Sequence, residues 1–266
     1  MIFDIITYNG EEELFEIRYN VLKDYVDEFR VVEFDKTFSG KPKESIFNQN
    51  WPKVKHYFIT EDVWSKYREV AKQSPNTEYG KGAEHWVREF CQKESIKDCL
   101  TGLGNLDVMF IGDCDEIWNP EYVNSLKYKY YGFPKKLKLG VYSYWLNNKS
   151  SEQFWGTIVA RYIGDVKDKD GRENCLNHLR VGAPRSSEEF GWHFTSIGSP
   201  GILRKKLTDS YTEESYATKS ILDNLEQNIN NNKDFLGRDF TYQVDESEWP
   251  QYLKNNREKY KYLLKT

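Results

Sequence analysis

The first 34 residues alternate between strand and helix patterns, and this order restricts the fold more than any other feature of the sequence. Ile2–Tyr8 and Phe29–Phe34 are short runs rich in residues that favour strands. Between them, from Leu14 to Tyr25, apolar residues recur at the spacing of one helix face. A strand, a helix and a second strand in succession predict parallel strands and therefore an α/β fold.

The start of this first helix is expected at Asn9. Asparagine is a favourable N-cap residue, and Glu12 follows three positions later, at the spacing of a capping box. Glu11, Glu12 and Glu13 then fall in the first turn, where the helix dipole favours negative charge. We therefore predict a helix that starts directly after Asn9.

The remaining chain continues these patterns within one predicted domain, residues 1–266. Further strands are predicted at Lys55–Thr60, Leu106–Ile111, Lys138–Trp145 and Phe154–Ile163, and a helix from Ala83 to about Leu100. Loops are predicted at Asp35–Asn50 and Ser74–Gly82. A polar helix from Glu213 to about Asn232 and a Lys- and Tyr-rich helix at Trp249–Leu264 are predicted to form a C-terminal helical segment, about 213–264.

Charge and cysteine content exclude several classes of protein. The net charge is −4 and no basic stripe is present, which argues against a nucleic-acid-binding protein. Cys91, Cys99, Cys114 and Cys175 form no C-x-x-C pair, so we expect reduced thiols rather than a zinc site or a disulfide framework. The sequence shows neither a signal-peptide pattern nor an 18-residue apolar run, so a soluble, cytoplasmic protein without a membrane anchor is expected.

The aromatic content is high, at 16% of residues with 19 Tyr and 8 Trp. Tyrosine and tryptophan combine a flat apolar face with a polar edge. One interpretation is a core and surface rich in tyrosine. The other is that some of these rings stack on sugars or bases.

A cluster of acids follows a buried-looking strand in the stretch VMFIGDCDEIWNP, residues 108–120. Asp113, Asp115 and Glu116 would be costly to bury without partners, and a bound Mg²⁺ or Mn²⁺ would remove that cost. Gly112 is expected to end the strand, and open α/β sheets bind ligands at the carboxyl ends of their strands. The alternative is an acidic turn that caps the next helix.

Two other groups of polar residues have both a functional and a structural interpretation. His193, in GWHFTSIG, is either a nitrogen ligand for the same ion or a hydrogen-bonded structural residue. On the helix that starts near Ala83, a polar stripe at helical spacing either faces solvent or faces a pocket. This stripe consists of His85, Arg88, Glu89 and Gln92.

Taken in order, these motifs resemble those of glycosyltransferase family 17, whose known eukaryotic members are β-1,4-mannosyl-glycoprotein β-1,4-N-acetylglucosaminyltransferases. The resemblance is carried by TFSGKPK after the second strand, HWVREFCQ before the acids, the D-x-D-E-I strand end and GWHFTSIG. The opening FDIITYNGEEELFEIRYNVL and the later DFLGR and NREKYKYL are also similar to family segments. The resemblance therefore extends over about residues 1–264.

The resemblance implies a GT-A-type nucleotide-sugar-binding fold, with a mostly parallel twisted central sheet flanked by helices. It also implies transfer from a UDP-sugar, UDP-GlcNAc being expected, onto a glycan hydroxyl with inversion at the anomeric carbon. By matching position, Asp113 and Asp115 would be the D-x-D residues for Mn²⁺ or Mg²⁺ and the diphosphate. The donor site would further include Thr37, Ser39, Gly40, Lys41, Arg88, Glu89, Gln92, Trp192 and, as a metal ligand, His193.

The sequence departs from the family pattern at several places. Trp118 stands where the family commonly has proline, and no further histidine follows G-W-H-F. The eukaryotic members are membrane-anchored, whereas this sequence shows no anchor. We therefore expect a bacterial or viral glycan, made in the cytosol, as the acceptor.

The expected mechanism needs a cation for the leaving group and a base for the acceptor. A metal at Asp113 and Asp115 would neutralise the charge that develops on the diphosphate, aided by Lys41 or Arg88. The candidates for the base that takes the acceptor proton are Glu116, Glu188, Glu189 and Glu89. Trp155 and Trp192 either stack on the acceptor or pack in the core. The competing functions are a carbohydrate-binding module without turnover and a metal-dependent phosphohydrolase.

Overall fold

The computed structural model describes residues 1–47, 50–74, 83–126, 133–168, 170–211 and 216–266, which form one curled sheet with helices against it. The strands are β1 Ile2–Thr7, β2 Glu28–Phe34, β3 Val54–Ile59, β4 Val108–Asp113, β5 Glu116–Trp118, β6 Lys135–Ser143, β7 Asn148–Arg161, β8 Arg185–Thr195 and β9 Tyr242–Val244. The helices are α1 Glu12–Leu22, α2 Glu61–Trp64, α3 Arg68–Lys72, α4 Glu84–Ser95, α5 Glu121–Leu126, α6 Leu176–Gly182, α7 Pro200–Ser210, α8 Lys219–Asn230 and α9 Gln251–Asn255.

The strands lie in the order β3-β2-β1-β4-β7-β6-β8-β5, and β9 pairs with β7. We call β1 to β4 the parallel half, because every pairing among them is parallel. We call β5 to β9 the mixed half. There β7 is antiparallel to β4, β6 and β9, whereas β8 is parallel to β6 and antiparallel to β5.

The α/β class and the flanking helices are as predicted, but a mostly parallel sheet describes only the first half. Strands β6 and β7 are joined by residues 144–147 alone, and so short a connection can join only antiparallel neighbours. The mixed character of the second half follows from this hairpin.

Apolar side chains cover both faces of the parallel half. In β1, Phe3 and Ile5 pack into a cluster that contains Phe90 of α4, whereas Ile6 packs with Phe15 of α1 on the other face. Successive strand residues point to opposite faces, so both faces need apolar residues when helices cover both. This explains why β1 is an almost continuous apolar run.

The helix boundaries differ from the predictions at both ends of the chain. Helix α1 begins at Glu12 rather than directly after Asn9, and the Glu11 carboxylate accepts the Asn9 N–H at 2.7 Å. The Asn9 side chain instead accepts a hydrogen bond from Lys43. The N-cap prediction for Asn9 is therefore wrong, because local turn contacts use this residue before the helix starts.

The predicted helix Trp249–Leu264 is also wrong as one element. Only α9 and a short 3₁₀ turn at Lys261–Leu263 are helical, because Asn256 Nδ2 hydrogen-bonds the Tyr252 carbonyl and ends α9. Tyr260 is fully buried, which fixes the chain after the helix. Helix α8 confirms most of the polar helix. Residues 75–82 of a predicted loop and residues 213–215 of that helix lie outside the described residues.

Within the described residues, no helix is both long enough and apolar enough to cross a bilayer. The four cysteines are free thiols, in agreement with the expected absence of a disulfide framework.

Candidate functional site

The carboxyl ends of three parallel strands meet at a cavity of about 120 Å³, which we call pocket A. Thr7 of β1, Phe34 of β2 and Asp113 of β4 contribute to it from the last positions of their strands. Strand β4 continues one residue beyond Gly112, so Asp113 itself pairs with Thr7 in the sheet. The other described residues lining pocket A are Tyr8, Asn9, Glu11, Lys36, Thr37, Phe38, Lys43, Gln92, Cys114, Asp115, Lys206, Asp209 and Ser210.

Asp113 is held by a hydroxyl and two cations. Its Oδ1 accepts a hydrogen bond from Thr7 Oγ1 at 2.7 Å. Its Oδ2 lies 3.4 Å from Lys93 Nζ and 3.7 Å from Arg180 Nη2. Burial by itself would raise the pKa of Asp113, but Lys93 and Arg180 hold that pKa far below its ordinary value. Asp113 is therefore an anion in the folded protein.

Asp115 has a separate set of partners. Its Oδ2 accepts a hydrogen bond from Lys206 Nζ, on α7, at 3.0 Å. Its Oδ1 lies 3.7 Å from His193 Nε2, on β8. Burial would raise the pKa of Asp115, but the Lys206 ammonium and His193 hold it below the ordinary value. The two aspartates thus face different protein groups.

Glu116 lies beneath the acidic turn rather than among the residues that line pocket A. Its Oε2 accepts the Asp113 N–H at 3.3 Å. A Cβ on Gly112 would lie 2.6 Å from the same oxygen, so only glycine allows this close approach. Burial, with the charge of Asp113 second, raises the pKa of Glu116 to about 7. The Glu116 carboxylate therefore stabilises the acidic turn through its hydrogen bond to the Asp113 N–H.

A buried arginine fixes the turn that carries the acids. The Nε and Nη2 atoms of Arg18 donate to the two Asp4 carboxylate oxygens, both at 2.7 Å. Its Nη1 donates to the carbonyls of Asp113 at 3.1 Å and Glu116 at 2.6 Å. Trp118 Nε1 also donates to Asp4 Oδ1 at 2.9 Å. This network was not predicted from the sequence. The available signal was a charged residue at a core-facing position of each element, Asp4 in β1 and Arg18 in α1.

The loop after β2 is docked onto α7. The Lys41 N–H donates to Thr37 Oγ1 at 3.0 Å, which closes the loop on itself. The Ser39 N–H donates to the Asp209 carbonyl at 2.9 Å, and Lys41 Nζ donates to Asp209 Oδ1 at 3.0 Å. Of the four loop residues predicted for the donor site, Thr37 lines pocket A. Ser39, Gly40 and Lys41 are not among its lining residues.

The polar stripe of α4 faces this loop, which favours the pocket-facing interpretation over a solvated face. Arg88 Nη1 donates to the Phe38 carbonyl, and Gln92 Nε2 donates to the Lys36 carbonyl at 2.8 Å. Gly40 adopts a left-handed φ of 97°, and a Cβ there would lie 3.1 Å from the Arg88 guanidinium. Glu89 instead forms an ion pair with Lys93 at 2.8 Å.

Three predicted site residues lie away from pocket A. Trp192 is buried in the core, where its Nε1 donates to the Glu248 carbonyl at 2.6 Å. Glu189 is exposed on β8, beside Gly140 of the neighbouring strand. Trp155 donates through Nε1 to the Ser186 carbonyl. Strand pairing sets the positions of these residues, so they could not be predicted from the local sequence.

A second cavity, pocket B, has a volume of about 390 Å³ and shares Lys206 and Ser210 with pocket A. His193 also lines it, so both partners of Asp115 border this cavity. The remaining lining is aromatic and polar with three leucines: Trp86, Ser143, Tyr144, Glu152, Phe154, Thr195, Ser196, Leu203, Leu207, Tyr211, Tyr216, Asp234, Phe235, Leu236 and Arg238.

The donor atoms around Asp115 fit a cation that also binds substrate phosphates. The His193 ring stacks on Phe154 at 4.0 Å, and its buried Nδ1 has no hydrogen-bond partner among the described residues. Across all the residues that the structure describes, no group of three or more His, Cys, Asp or Glu side chains forms a complete metal site. Mg²⁺-type ions commonly use one or two carboxylates and complete their coordination with water and phosphate. Asp115 meets this lower requirement with one carboxylate, and His193 places a ring nitrogen 3.7 Å from it.

Helix α7 was not predicted, although its start carries a recognisable signal. Ser199 Oγ accepts the Ile202 N–H at 3.4 Å, and Pro200 occupies the first helical position. Serine followed by proline is typical of a helix start. This helix supplies Lys206 and Asp209, which sequence reasoning left out of the site.

Comparison with known proteins identifies a family. The model of a family described as glycosyltransferase family 17 matches residues 1–185. The matched region includes the parallel half, the loop after β2, helix α4 and both aspartates. A search of curated proteins finds no match. The matched region ends at Arg185, the first residue of β8, so His193 and Lys206 lie beyond it.

Proposed function

The chain belongs to glycosyltransferase family 17 and is a glycosyltransferase, and from this premise we propose that it moves N-acetylglucosamine from UDP-GlcNAc to a glycan hydroxyl. The proposal includes inversion at the anomeric carbon, dependence on Mn²⁺ or Mg²⁺, and a GT-A-type fold in a single domain. The observation that carries it is the position of Asp113 and Asp115 in pocket A, at the carboxyl edge of the parallel strands.

The charges around pocket A suit a diphosphate that binds together with a divalent cation. Lys36, Lys43 and Lys206 line the pocket beside four carboxylates, so a bound cation would offset the excess negative charge of the lining; the carboxylates are those of Glu11, Asp113, Asp115 and Asp209. Thr37 and Gln92 supply polar side chains from the docked loop and from α4. These groups are held by other protein contacts, so little reorganisation is needed when the nucleotide binds.

Asp115 and His193 are the residues that would hold the metal, with Asp113 contacting the diphosphate side of the site. A bound divalent cation supplies positive charge to the oxygen atoms of the departing diphosphate. Lys206 already places an ammonium 3.0 Å from Asp115. The chain therefore contributes its own cation next to the position where negative charge develops.

Donor binding is tested by thermal shift, in which purified protein is heated with UDP-GlcNAc, UDP-glucose, UDP-galactose or UDP in Mn²⁺. A ligand present at 100 times its Kd stabilises the folded state by about 2.7 kcal/mol. UDP-GlcNAc should give the largest shift, and EDTA should remove most of it. A larger shift with another UDP-sugar would change the donor assignment, and the absence of any shift would contradict the proposed function.

Turnover is tested separately by measuring UDP release with and without a glycan acceptor. The transferase predicts UDP release that increases when an acceptor is added. A carbohydrate-binding module predicts glycan binding without UDP release. A phosphohydrolase predicts inorganic phosphate, which a phosphate assay on the same samples detects.

A further inference from the structure

We propose that pocket B is the acceptor site, that it takes a neutral, pyranose-bearing glycan, and that Glu152 is the base that removes the proton from the attacking hydroxyl. This inference rests on the proposed function, because pocket A is assigned to the donor diphosphate. It goes further by naming the acceptor chemistry and a catalytic residue on β7 that the sequence motifs did not indicate.

The position of pocket B next to Asp115 is the first support. Lys206 lines both cavities, and its Nζ donates to Asp115 Oδ2 at 3.0 Å. His193, the other partner of Asp115, also lines pocket B. A donor whose diphosphate contacts Asp115 would therefore direct its sugar towards pocket B. An acceptor there would lie on the sugar side of the bond that breaks.

The walls of pocket B are the second support. Trp86 and Tyr211 lie with ring centroids 5.8 Å apart, and Tyr211 and Tyr216 lie 4.9 Å apart, in both cases edge to face. Such rings offer flat apolar faces for the C–H surface of a pyranose, with polar edges for its hydroxyls. The volume of about 390 Å³ lies in the range of roughly 300–1,000 Å³ that is typical of small-molecule sites.

The charges of pocket B favour a neutral acceptor. The described residues contribute two permanent cations, Lys206 and Arg238, and each is paired with carboxylates. Arg238 donates to Asp234 Oδ2 at 2.8 Å through Nη2 and to Glu152 Oε1 at 3.1 Å through Nη1. Since each of these cations already has a carboxylate partner and Lys206 is assigned to the diphosphate, an anionic glycan would gain little from them. Hydroxyl groups of Ser143, Thr195 and Ser196 remain suited to sugar hydroxyls.

Of the two carboxylates in pocket B, Glu152 is the better base. Asp234 accepts hydrogen bonds from the Leu236 and Arg238 backbone as well as from the Arg238 side chain, and these contacts lower its pKa. Burial instead raises the pKa of Glu152, with Arg238 opposing it. A raised pKa increases the affinity of a carboxylate for a transferred proton.

The proposed reaction is a displacement at the anomeric carbon. The acceptor oxygen attacks the anomeric carbon and forms the new C–O bond. The bond from that carbon to the diphosphate oxygen breaks, and its electron pair leaves with UDP. The hydroxyl proton moves to the Glu152 carboxylate, and no oxidant or reductant takes part.

The base is tested with Glu152→Gln, and Glu246→Gln is the matched control. Glu246 is also half-buried and paired with an arginine, Arg257, at 2.8 Å, but it lies outside both pockets. The substrates are UDP-GlcNAc with Mn²⁺ and a panel of p-nitrophenyl glycosides of glucose, galactose, mannose and N-acetylglucosamine. Glu152→Gln should lower kcat for transfer by about 10²-fold or more and flatten the acid limb of its pH profile. Glu246→Gln should stay within twofold of wild type.

The donor measurements separate this proposal from the one it rests on. If wild type and Glu152→Gln show the same thermal shift with UDP-GlcNAc, donor binding is intact and the loss belongs to the acceptor step. A Glu152→Gln variant that transfers at the wild-type rate would overturn the assignment of the base. If wild type shows no shift with UDP-GlcNAc, the proposed function has failed first.

The aromatic walls are tested with Trp86→Ala and Tyr216→Ala against Trp155→Ala. Trp155 is also a half-buried tryptophan, but it lies outside both pockets. Removing one stacking ring should raise the acceptor KM about tenfold, equivalent to about 1.4 kcal/mol, with the donor KM unchanged. Tyr216 is 41% exposed, so we expect the fold to stay intact when its ring is removed. An unchanged acceptor KM in both pocket variants, or no binding of any of the four glycosides by saturation-transfer NMR, would overturn the proposal.

Discussion

Pocket A and pocket B share Lys206, but they are built from different halves of the sheet. Pocket A collects residues from the ends of parallel strands, whose side chains are fixed by hydrogen bonds to other protein groups. Pocket B collects side chains from the surface of β6, β7 and β8. Residues two apart on a strand share a face, which places Glu152 with Phe154 and His193 with Thr195. The strand ends thus provide a charged site, whereas the strand surface provides ring and hydroxyl groups beside Glu152, and other rings of pocket B come from α4 and from residues after α7.

This difference predicts how each region responds to change. Groups in pocket A are already bonded to the protein, so their loss should act on the diphosphate and on the loop that frames it. Groups in pocket B line the proposed acceptor site, so their loss should act on the acceptor. The first three of the four predictions below test this division, and the fourth concerns a buried carboxylate outside both pockets; they run from the largest expected effect to the smallest.

Asp115→Ala should nearly abolish transfer while the protein remains folded. The substitution removes the carboxylate that faces both Lys206 and His193, and losing one such electrostatic contribution costs about 10²–10³-fold in kcat. The measurements are UDP release with Mn²⁺ and far-UV circular dichroism. Wild-type turnover in Asp115→Ala would show that this carboxylate has no role in the reaction. In the same assay, an unchanged Mn²⁺ affinity in His193→Ala would remove His193 from the ligands.

Lys206→Met should lower kcat and raise the affinity for Mn²⁺. The ammonium lies 3.0 Å from Asp115, so it assists a departing anion but repels a divalent cation. We expect about a tenfold change in each, equivalent to about 1.4 kcal/mol. Lys205→Met is the control, because Lys205 on the same helix pairs with Asp209 and not with Asp115. If kcat and the affinity for Mn²⁺ both fall in Lys206→Met, Lys206 does not assist the departing anion and repel the metal as two separate roles.

Gly40→Ala should weaken donor binding, whereas Gly237→Ala should not. Both glycines have a left-handed φ, 97° and 78°, so each alanine should cost about 1–2 kcal/mol of stability. Only at Gly40 would the new Cβ press on Arg88, which holds the loop beside pocket A. The measurements are the midpoint of urea unfolding and the donor KM. An equal donor KM in the two variants would show that the loop does not frame the donor site.

Glu94→Gln should change the pH dependence of stability without changing the acceptor KM. Burial would raise the pKa of Glu94, but Lys97 and the N–H groups of Asn177 and Leu176 lower it below its ordinary value of 4.5. Its stabilisation is therefore present above pH 4.5 and is lost as pH falls through the folded-state pKa. One proton contributes a slope of about 1.4 kcal/mol per pH unit.

That slope is measured by urea unfolding at several values between pH 3 and pH 6. In Glu94→Gln the loss of stability on acidification should be shallower than in wild type. Glu226→Gln, at an exposed position on α8, is the control and should keep the wild-type slope. A wild-type slope in Glu94→Gln would contradict the prediction.

Local patterns in the sequence were sufficient to predict most of the parallel half. Strands β1 to β3 lie within about two residues of their predicted bounds, because apolar periodicity reports which side chains are buried. Helix α4 begins one residue after its predicted start but ends at Ser95 rather than near Leu100, where a 3₁₀ turn at Ile96–Cys99 replaces its predicted last residues. The position of Asp113 at a strand end follows from the same pattern. The polar stripe of α4 left two interpretations open, and only the docked loop distinguishes them.

The mixed half and the contacts between distant segments could not be predicted in this way. Trp192 and His193 are adjacent in one motif, but alternation along β8 directs the first into the core and the second into pocket B. Lys206 and Asp115 are 91 positions apart, and no local pattern links them. Glu152 likewise enters the site only because β7 folds back beside β6, whose other neighbour is β8.

The Arg18 side chain has a consequence for how the protein opens. One guanidinium bonds to β1 through Asp4 and to the carbonyls that flank the acidic turn, and it does so from within α1. The turn can separate from α1 only when these buried bonds break together, so we expect its amide protons to exchange with solvent as slowly as those of β1. The acidic turn should therefore keep its position until β1 and α1 unfold.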